Sequence, residues 1–401
     1  MATHAPRPRT RAVHAGREDL ADLGAHVPPI DLSSTYPLRD LDRATESLDA
    51  MAHGEAPRHG EAVYARLHNP TVARFEAALA ALEECEESVA FASGMAALTA
   101  VLMACRERGS EIVAVRPLYG GSDHLLASGM LGLTVRWATA ETIAEHLTDD
   151  TALVIVETPA NPTLDLVDLD AVAAAAGDVP VIVDNTFATP VLQQPRRHGA
   201  ALVLHSATKF LGGHGDVVAG VVATDAEWAG RLRAVRVATG ALLHPLGAYL
   251  LHRGLPTLPL RVEAAQASAT TLAARLVEHP AVQTVRHPSL AGQDRAGLLG
   301  RQMQGPGSLI AFDVLGGHAA ASRVLRETAC FTPAVSLGSV DSLIQHPAGL
   351  THHVVDPSAR AANGIGEGTL RIAVGLEDVE DLWEDLDGAL RVAVGAVMES
   401  V

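Results

Sequence analysis

The chain is poor in several residue types, and each shortage excludes a class of protein. Its three cysteines, Cys85, Cys105 and Cys330, are too few for a disulfide framework, which is typical of a protein from the reducing cytoplasm. Basic residues number 30 against 47 acidic ones, and the net charge of −17 argues against nucleic acid as a partner. No apolar run reaches the roughly 18 residues of a membrane span, so no membrane partner is expected.

Lysine is the scarcest basic residue. Lys209 is the only lysine among the 30 basic residues, and all others are arginine. Such a bias is typical of a GC-rich genome, in which any position that needs only positive charge can become arginine. A lysine kept against that bias indicates a task that arginine cannot perform, such as attack of a neutral amine on a carbonyl. Chance survival is the alternative, so the surrounding residues decide.

Short apolar runs alternate with stretches of helical spacing, and 401 residues with 48% hydrophobic content allow two domains. We interpret as strands the runs 88–91, 111–115, 133–137, 152–156, 179–183 and 201–204. Helical spacing predicts helices over 71–84 and 261–278, and later strands are predicted at 308–314 and 369–374. The pattern predicts an α/β protein with a mostly parallel sheet in an α/β/α large domain and a smaller C-terminal α+β domain.

An acidic residue and the sole lysine follow two consecutive predicted strands. Asp184 comes directly after the run 179–183, and Lys209 follows the run 201–204. The carboxyl ends of parallel strands share one edge of a sheet, where α/β folds bind ligands. Pyridoxal 5′-phosphate needs this pair, because a lysine forms its Schiff base and an acid keeps its pyridine nitrogen protonated.

Two segments offer hydroxyls and backbone amides to a phosphate. Ser206 and Thr208 flank the lysine. Gly94 and Met95 open a predicted helix directly after the first strand, and helix N-termini attract anions. Tyr119 follows the strand at 111–115 and is placed to stack on the cofactor ring. The sequence therefore predicts a pyridoxal-phosphate site at this edge of the sheet.

Six segments, in order along nearly the whole chain, resemble the Cys/Met-metabolism family of pyridoxal-phosphate enzymes. They are YARLHNPT at 64–71, ETPANP at 157–162, VDNT at 183–186, HSATKFLGGHGD at 205–216, VSLG at 335–338 and LRIAVG at 370–375. The resemblance implies the fold type I architecture of pyridoxal-phosphate-dependent transferases. It also implies an amino-acid substrate and a homo-oligomer, a tetramer of two tight dimers, with active sites shared across each dimer.

The resemblance implies a role for each motif residue. Lys209 is the Schiff-base lysine and proton carrier, Asp184 pairs with the pyridine nitrogen, and Tyr119 stacks on the ring. The residues implied to hold the phosphate are Gly94, Met95, Ser206 and Thr208. Tyr64, as a catalytic residue, and Arg66, toward the phosphate, are implied to reach the neighbouring subunit's site. Arg371 is implied to bind the substrate carboxylate with Ser336 and Asn161.

The predicted domains follow from these assignments. Residues 1–60 are expected to form an extended arm that contacts the partner subunit, residues 61–255 the cofactor-binding domain, and residues 256–401 the C-terminal domain. The acidic run Glu83–Glu87 is interpreted as a solvated helix end. No histidine or cysteine spacing predicts a metal site, so none is expected.

Departures from the family's patterns narrow the expected reaction. Cystathionine γ-lyases carry polar residues where this chain has Val63, His124 and Val335. An apolar Val335 in the substrate site favours a small apolar γ-substituent or an acyl ester. We expect a carbon–sulfur lyase that performs α,γ-elimination on L-methionine or L-homocysteine, releasing 2-oxobutanoate, ammonia and a thiol.

Two alternatives remain at this point. One is γ-replacement on an O-acylhomoserine by a cystathionine γ-synthase or sulfhydrylase, or cleavage by a cystathionine γ-lyase, since many methionine γ-lyases have a cysteine where this chain has Gly121. The other is a catalytically silent regulator that binds pyridoxal phosphate. The presence of both Lys209 and Asp184 argues against that regulator.

Overall fold

The chain folds into two β-sheets flanked by helices, and the computed structural model describes residues 6–398. The strands are β1 Glu87–Phe91, β2 Glu111–Val115, β3 Thr134–Ala138, β4 Thr151–Glu157, β5 Val181–Asp184, β6 Leu202–His205, β7 Gly220–Thr224, β8 Val282–Arg286, β9 Leu309–Val314, β10 Thr332–Pro333, β11 Leu343–Gln345 and β12 Thr369–Ala373. The helices are α1 Pro8–His14, α2 Leu41–Ala52, α3 Pro70–Glu83, α4 Gly94–Ala104, α5 Gly120–Ala127, α6 Ile143–His146, α7 Leu169–Ala176, α8 Thr189–Leu192, α9 Ala226–Thr239, α10 Pro245–Gly254, α11 Leu258–Val277, α12 Gly317–Glu327, α13 Pro357–Ala362 and α14 Val379–Met398. Short 3₁₀ turns lie at Arg58–Gly60, Cys105–Glu107, Pro195–His198 and Leu255–Thr257.

The larger sheet has seven strands in the order β1-β7-β6-β5-β4-β2-β3. Every neighbouring pair from β6 to β3 is parallel, whereas β7 runs antiparallel to both β1 and β6. All seven residues of β4 are buried, as expected for a strand covered by helices on both faces. The predicted α/β class is thus confirmed, but the sequence interpretation contained no strand at β7.

Helix α3 illustrates how local sequence sets an element that supports this sheet. Asn69 accepts hydrogen bonds from the backbone N–H groups of Thr71 and Val72, and Pro70 occupies the first turn, where no N–H partner is required. Phe75 and Leu79, one turn apart, are completely buried against the sheet. The predicted helix at 71–84 is confirmed to within a residue at each end.

The smaller sheet has five strands in the order β10-β11-β12-β9-β8. Its core contains Phe312 of β9 and Phe331, together with Leu386 and Leu390 of α14. Strand β12 lies between two antiparallel neighbours, β11 and β9, and it carries Arg371. The two sheets occupy the separate stretches 87–224 and 282–373, and the proposed domain boundary at 255 stays a prediction.

The N-terminal segment corrects one expectation. Residues 1–60 were expected to be extended, but α1 and α2 lie within them. Pro8 occupies the first turn of α1, where its missing N–H costs nothing, and the Asp40 side chain caps α2 by accepting from Arg43 N. Residues 1–5 of the expected arm lie outside the described residues. None of the helices within 6–398 is long and apolar enough to cross a membrane.

Candidate active site

A cavity of about 580 Å³ lies between the carboxyl edge of the larger sheet and the smaller sheet. The structure brings most of the predicted site residues to its walls. Those residues are Gly94, Met95, Tyr119, Asn161, Asp184, Ser206, Thr208, Lys209, Val335, Ser336 and Arg371. The predicted residues Tyr64 and Arg66 lie elsewhere, as described below.

Lys209 follows β6 and projects toward the smaller sheet. Its Nζ donates a hydrogen bond of 2.7 Å to Ser336 Oγ. Burial, and then the positive charge of Arg371, lower the pKa of Lys209 to about 8. Both effects disfavour the ammonium form, so about a tenth of this amine is neutral and nucleophilic at pH 7, far more than for an ordinary lysine.

Asp184 ends β5 and is held by the residue two positions later. Its Oδ1 accepts from Thr186 N at 3.0 Å and from Thr186 Oγ1 at 2.5 Å. The same hydroxyl accepts from Ser206 N at 2.9 Å, which ties the carboxylate to the segment after β6. Burial raises the pKa of Asp184, although these hydrogen bonds and His205 act in the opposite direction. Within residues 6–398, Oδ2 accepts no hydrogen bond, so this oxygen is available to a donor in the cavity.

The start of α4 forms a cradle for an anion. Ser93 caps the helix by accepting from Ala96 N at 3.1 Å, and the N–H groups of Gly94 and Met95 lie at its open end. A β-carbon on Gly94 would approach the Ser206 β-carbon at 3.1 Å, so the two segments come this close only because Gly94 has no side chain. The Thr208 hydroxyl also lines the cavity, and it exchanges hydrogen bonds with both backbone groups of Ala219.

Tyr119 precedes α5, lines the cavity and is 39% exposed. Its backbone N donates to Glu157 Oε2 at 2.7 Å, which anchors the start of the helix. A β-carbon on Gly121 would lie 2.6 Å from Cε1 of the tyrosine ring. The missing side chain at position 121 therefore provides the space that the ring occupies.

Arg371 is a buried cation that contacts only neutral acceptors among the described residues. Its Nη1 donates to Asn161 Oδ1 and its Nη2 to Ser336 O, both at 2.8 Å. Hydrogen bonding also places the amide oxygen of Gln345 against the guanidinium. Burial lowers the pKa of Arg371 to about 10, and it remains charged. A buried guanidinium without a carboxylate partner is a binding site for an anionic group of a ligand, to which its N–H groups can donate.

The outer part of the cavity is apolar. Val335 is 53% exposed there, and it is joined by Val218, Leu350 and Val354. Among the described residues, the charged groups that line the cavity are Glu157, Asp184, Lys209 and Arg371. All four lie in the inner part already described, so the rim offers no charged partner to a ligand.

Tyr64 and Arg66 line a separate cavity of about 340 Å³ with Arg236 and His244. Arg66 Nη1 donates to Val237 O at 2.9 Å, and its guanidinium lies 5.6 Å from the centre of the Tyr64 ring. Tyr64 is 44% exposed. Within one chain, therefore, neither residue reaches the cavity that contains Lys209.

Sequence reasoning missed Glu157 and misread Glu83. Glu157 is the first residue of the ETPANP motif at 157–162, and no role is assigned to it from the sequence. Its place at the end of β4, beside Asp184 at the end of β5, could have indicated a role in the site. Glu83 was interpreted as part of a solvated helix end, but its side chain is completely buried and bonds His205 Nε2 at 2.5 Å. The interpretation was wrong because His205, 122 positions later in the chain, provides a buried partner.

One other group of possible metal ligands lies outside the cavity. Ligand atoms of His318, His346 and Glu367 lie within 4.8 Å of one another. His346 Nδ1 accepts from Gly349 N at 3.0 Å, which places the ring proton on Nε2, and Nε2 donates to Glu367 O at 2.8 Å. Both ring nitrogens are thereby occupied, and this group gives no reason to assign a metal site.

The cavity fits pyridoxal phosphate in three respects. A buried amine with a lowered pKa suits attachment of the cofactor, and the open oxygen of Asp184 suits its ring nitrogen. The N–H groups at the N-terminus of α4, close to Ser206, suit the phosphate. These features lie along one wall of the cavity, at the carboxyl edge of the sheet.

Comparisons with known proteins agree with this geometry. The model of a family described as Cys/Met metabolism PLP-dependent enzyme matches residues 9–391. An L-methionine γ-lyase of Brevibacterium sandarakinum is 59% identical over 385 residues, covering 96% of this chain and 97% of that protein. An L-methionine γ-lyase of Streptomyces avermitilis is 56% identical over 382 residues, covering 95% and 88%. Among solved structures, cystathionine γ-synthase of Xanthomonas oryzae in complex with aminoacrylate and cysteine has a TM-score of 0.89 at 37% identity, covering 98% of this chain and 100% of that one.

Proposed function

The chain belongs to the Cys/Met-metabolism family of pyridoxal-phosphate-dependent enzymes, and from this premise we propose that it is an L-methionine γ-lyase. The reaction converts L-methionine and water into 2-oxobutanoate, ammonia and methanethiol. The observation that carries this choice of substrate is the apolar rim of Val335, Leu350 and Val354 beside the Lys209 amine.

The inner residues of the cavity hold the cofactor and move protons. When bound, pyridoxal phosphate supplies a carbonyl that captures the amino group and a conjugated ring that accepts electrons from bonds broken in the substrate. Asp184 holds the ring nitrogen, while Gly94, Met95 and Ser206 hold the phosphate. Lys209 Nζ takes the proton from the substrate α-carbon, which an amine with a pKa of about 8 does well near neutral pH.

Arg371 and its partners orient the substrate. The guanidinium receives the α-carboxylate, since it is buried and pairs with no carboxylate within residues 6–398. Asn161 and Ser336 hold Arg371 from two directions, and Ser336 Oγ also bonds Lys209 Nζ. The carboxylate-binding group and the proton-transfer group are thereby linked through one residue, which places the α-carbon next to the amine.

The rim selects the γ-substituent. Cystathionine carries a second ammonium and carboxylate at its far end, and the rim of this chain offers neither charge a partner. Burying such groups without partners is costly, whereas a methylthio group gains from contact with Val335, Leu350 and Val354. The arrangement therefore favours methionine over cystathionine.

A second copy of the chain completes the site. Tyr64 and Arg66 lie outside the Lys209 cavity of their own chain and are partly exposed, as residues that serve a neighbouring copy must be. We therefore propose an active site shared across a homodimer, with two such dimers forming a tetramer. The cytoplasmic location expected from cysteine usage stays a prediction.

A γ-replacement on an O-acylhomoserine is the second candidate. Gly121 favours it, because many methionine γ-lyases have a cysteine at this place, whereas here the space is filled by the Tyr119 ring. Such a reaction would use the same Lys209, Asp184 and Arg371. It differs in that the acyl group leaves the γ-carbon as a carboxylic acid, a thiol adds there, and the product keeps its amino group.

The deciding experiment supplies the purified, cofactor-loaded protein with three substrates. These are L-methionine, L-cystathionine, and an O-acylhomoserine together with a thiol. We expect 2-oxobutanoate chiefly from methionine, and none from a Lys209→Ala variant. Val335→Glu should lower kcat/KM for methionine, while the near-isosteric Val335→Thr serves as its matched control. Absence of 2-oxobutanoate from methionine, with thioether formed from the acyl ester, would instead establish the replacement reaction.

A further inference from the structure

Glu157 is a buried carboxylate at the centre of the site to which neither the sequence nor the proposed mechanism assigns a role. It ends β4 directly beside Asp184, its register partner at the end of β5. The residue is 5% exposed and lines the cavity. Such burial is costly for a carboxylate unless other groups satisfy it, so its partners indicate what it does.

Both oxygens of the Glu157 carboxylate accept backbone hydrogen bonds from two different loops. Oε2 accepts from Tyr119 N at 2.7 Å and Oε1 from Asn161 N at 2.8 Å. One partner comes before α5, on the side of the ring-stacking tyrosine. The other leads to the substrate-binding guanidinium, because Asn161 Oδ1 accepts from Arg371 Nη1 at 2.8 Å.

We propose that Glu157 is a positioning residue that holds the stacking tyrosine and the carboxylate-binding pair Asn161–Arg371 in one frame. The substrate's α-carboxylate and the cofactor ring are thereby held in fixed positions relative to each other, so that the α-carbon lies where Lys209 can reach it. This inference rests on the proposed function, since it assumes an amino-acid substrate at Arg371.

The geometry agrees with a carboxylate used for its two acceptor oxygens, because each oxygen accepts a backbone N–H. Burial, and then the charge of Asp184, raise the pKa of Glu157 well above its ordinary value, and its two backbone hydrogen bonds and Arg371 act in the opposite direction. A glutamine at this position would keep the shape and one acceptor oxygen. Its amide NH₂ would face the N–H of either Tyr119 or Asn161, so one of the two loops would lose its anchor.

The test compares two amines that bind to the cofactor-loaded protein but carry no leaving group on the γ-carbon, so that neither is cleaved. L-norleucine has the shape of methionine without the sulfur, and n-pentylamine is the same molecule without the carboxylate. Binding of each is followed by the visible absorbance of the bound cofactor. The ratio of the two affinities measures the carboxylate-binding pair alone, because effects on Asp184 or on cofactor chemistry apply to both ligands.

We expect Glu157→Gln to change one of two quantities, according to which N–H faces the new amide NH₂. If Asn161 N loses its acceptor, the preference for norleucine over pentylamine falls by about tenfold, the size of one lost charge-assisted hydrogen bond. If Tyr119 N loses its acceptor, the visible circular dichroism of the bound cofactor changes, because the Tyr119 loop moves. Glu377→Gln is the matched control, since Glu377 also accepts a backbone N–H, from Ser342 at 2.7 Å, outside the cavity. The control should alter neither quantity.

The opposite result is also defined. If both ligands weaken equally, or neither changes, and the circular dichroism is unaltered, Glu157 has no positioning role. If Glu157→Gln does not fold, Glu157→Asp takes its place. Its side chain is one methylene shorter and cannot reach both N–H groups, so it should also reduce the preference for norleucine over pentylamine. Neither measurement requires turnover, so a failure to cleave methionine would overturn the proposed function and leave this test intact.

Discussion

The pair of Glu83 and His205 is expected to be strongly coupled in the stability of the fold. Their side chains are 0% and 1% exposed, and Glu83 Oε1 lies 2.5 Å from His205 Nε2. Asn185 Nδ2 donates to the same oxygen at 3.1 Å. Each single replacement, Glu83→Leu or His205→Leu, leaves a buried polar partner unpaired and should cost about 3–5 kcal/mol of unfolding free energy.

The double variant Glu83→Leu/His205→Leu should lose far less unfolding free energy than the sum of the losses in the two single variants. Both unpaired groups are gone, and the remaining cost is the lost acceptor of Asn185 Nδ2, which still donates to Gln193 O at 3.0 Å. We expect a loss of about 1–3 kcal/mol instead of the roughly 6–10 kcal/mol that additivity predicts.

Urea unfolding of the cofactor-loaded protein measures these differences, at one protein concentration because oligomers shift with concentration. Glu84→Gln is the control from the same acidic run. That carboxylate pairs with Arg11 and Arg197 near the surface, and its loss should cost about 1 kcal/mol or less. Additive losses in the double variant would refute the reasoning, because they would mean that the two side chains do not depend on each other.

Four further predictions concern the cavity and the smaller sheet. Burial lowers the pKa of Lys209 to about 8. When pyridoxal phosphate is added to the cofactor-free protein, the rate at which the visible absorbance of the bound cofactor appears should therefore rise as pH increases through 8. An ordinary lysine would require a pH above about 10. Arg371→Lys should lower kcat/KM for methionine by about a hundredfold, chiefly through KM, since one ammonium cannot replace a guanidinium fork; an unchanged KM would contradict carboxylate binding there. Gly121→Ala should change the visible circular dichroism of the bound cofactor at unchanged stability, because the new β-carbon would lie 2.6 Å from the Tyr119 ring and displace it. Burial lowers the pKa of His287 to about 4, so unfolding titrations should show that between pH 7 and pH 5 the protein loses about 2 kcal/mol more unfolding free energy than His287→Gln does, because the unfolded chain binds a proton that the native imidazole refuses. Burial also lowers the pKa of His352 to about 4, and that contribution is the same in both proteins.

The residues at the carboxyl edge of the larger sheet could be predicted because their signal is local. Asp184 and Lys209 each follow a short apolar run, and parallel strands bring such ends together whatever lies between them. The cap at Asn69 and the proline after it similarly placed the start of α3. Runs of this kind favour a buried strand when they are short and rich in β-branched side chains, as the valine-rich β5 is.

Strand β7 and the N-terminal helices were missed for different reasons. Residues Gly220–Thr224 follow the glycine-rich segment 212–215, so no helical stretch separates them from β6 as the parallel pattern would require, and the strand pairs antiparallel. In the N-terminal segment, prolines argue against a helix in general, although at the first turn of a helix, where Pro8 lies in α1, proline is favourable. Both misses come from applying a correct rule at the wrong position.

The partners of the buried acids could not be predicted, because they come from tertiary contacts. Glu83 lies in a run of acidic residues, and only the docking of α3 against β1 and β7 of the larger sheet brings it to His205 at the end of β6. Glu157 ends a strand as Asp184 does, but its function depends on two backbone N–H groups that lie 38 positions before it and 4 after it. A carboxylate that serves as an acceptor of backbone hydrogen bonds leaves no pattern in the sequence. Its role becomes visible only when the loops it anchors are known to hold the cofactor and the substrate.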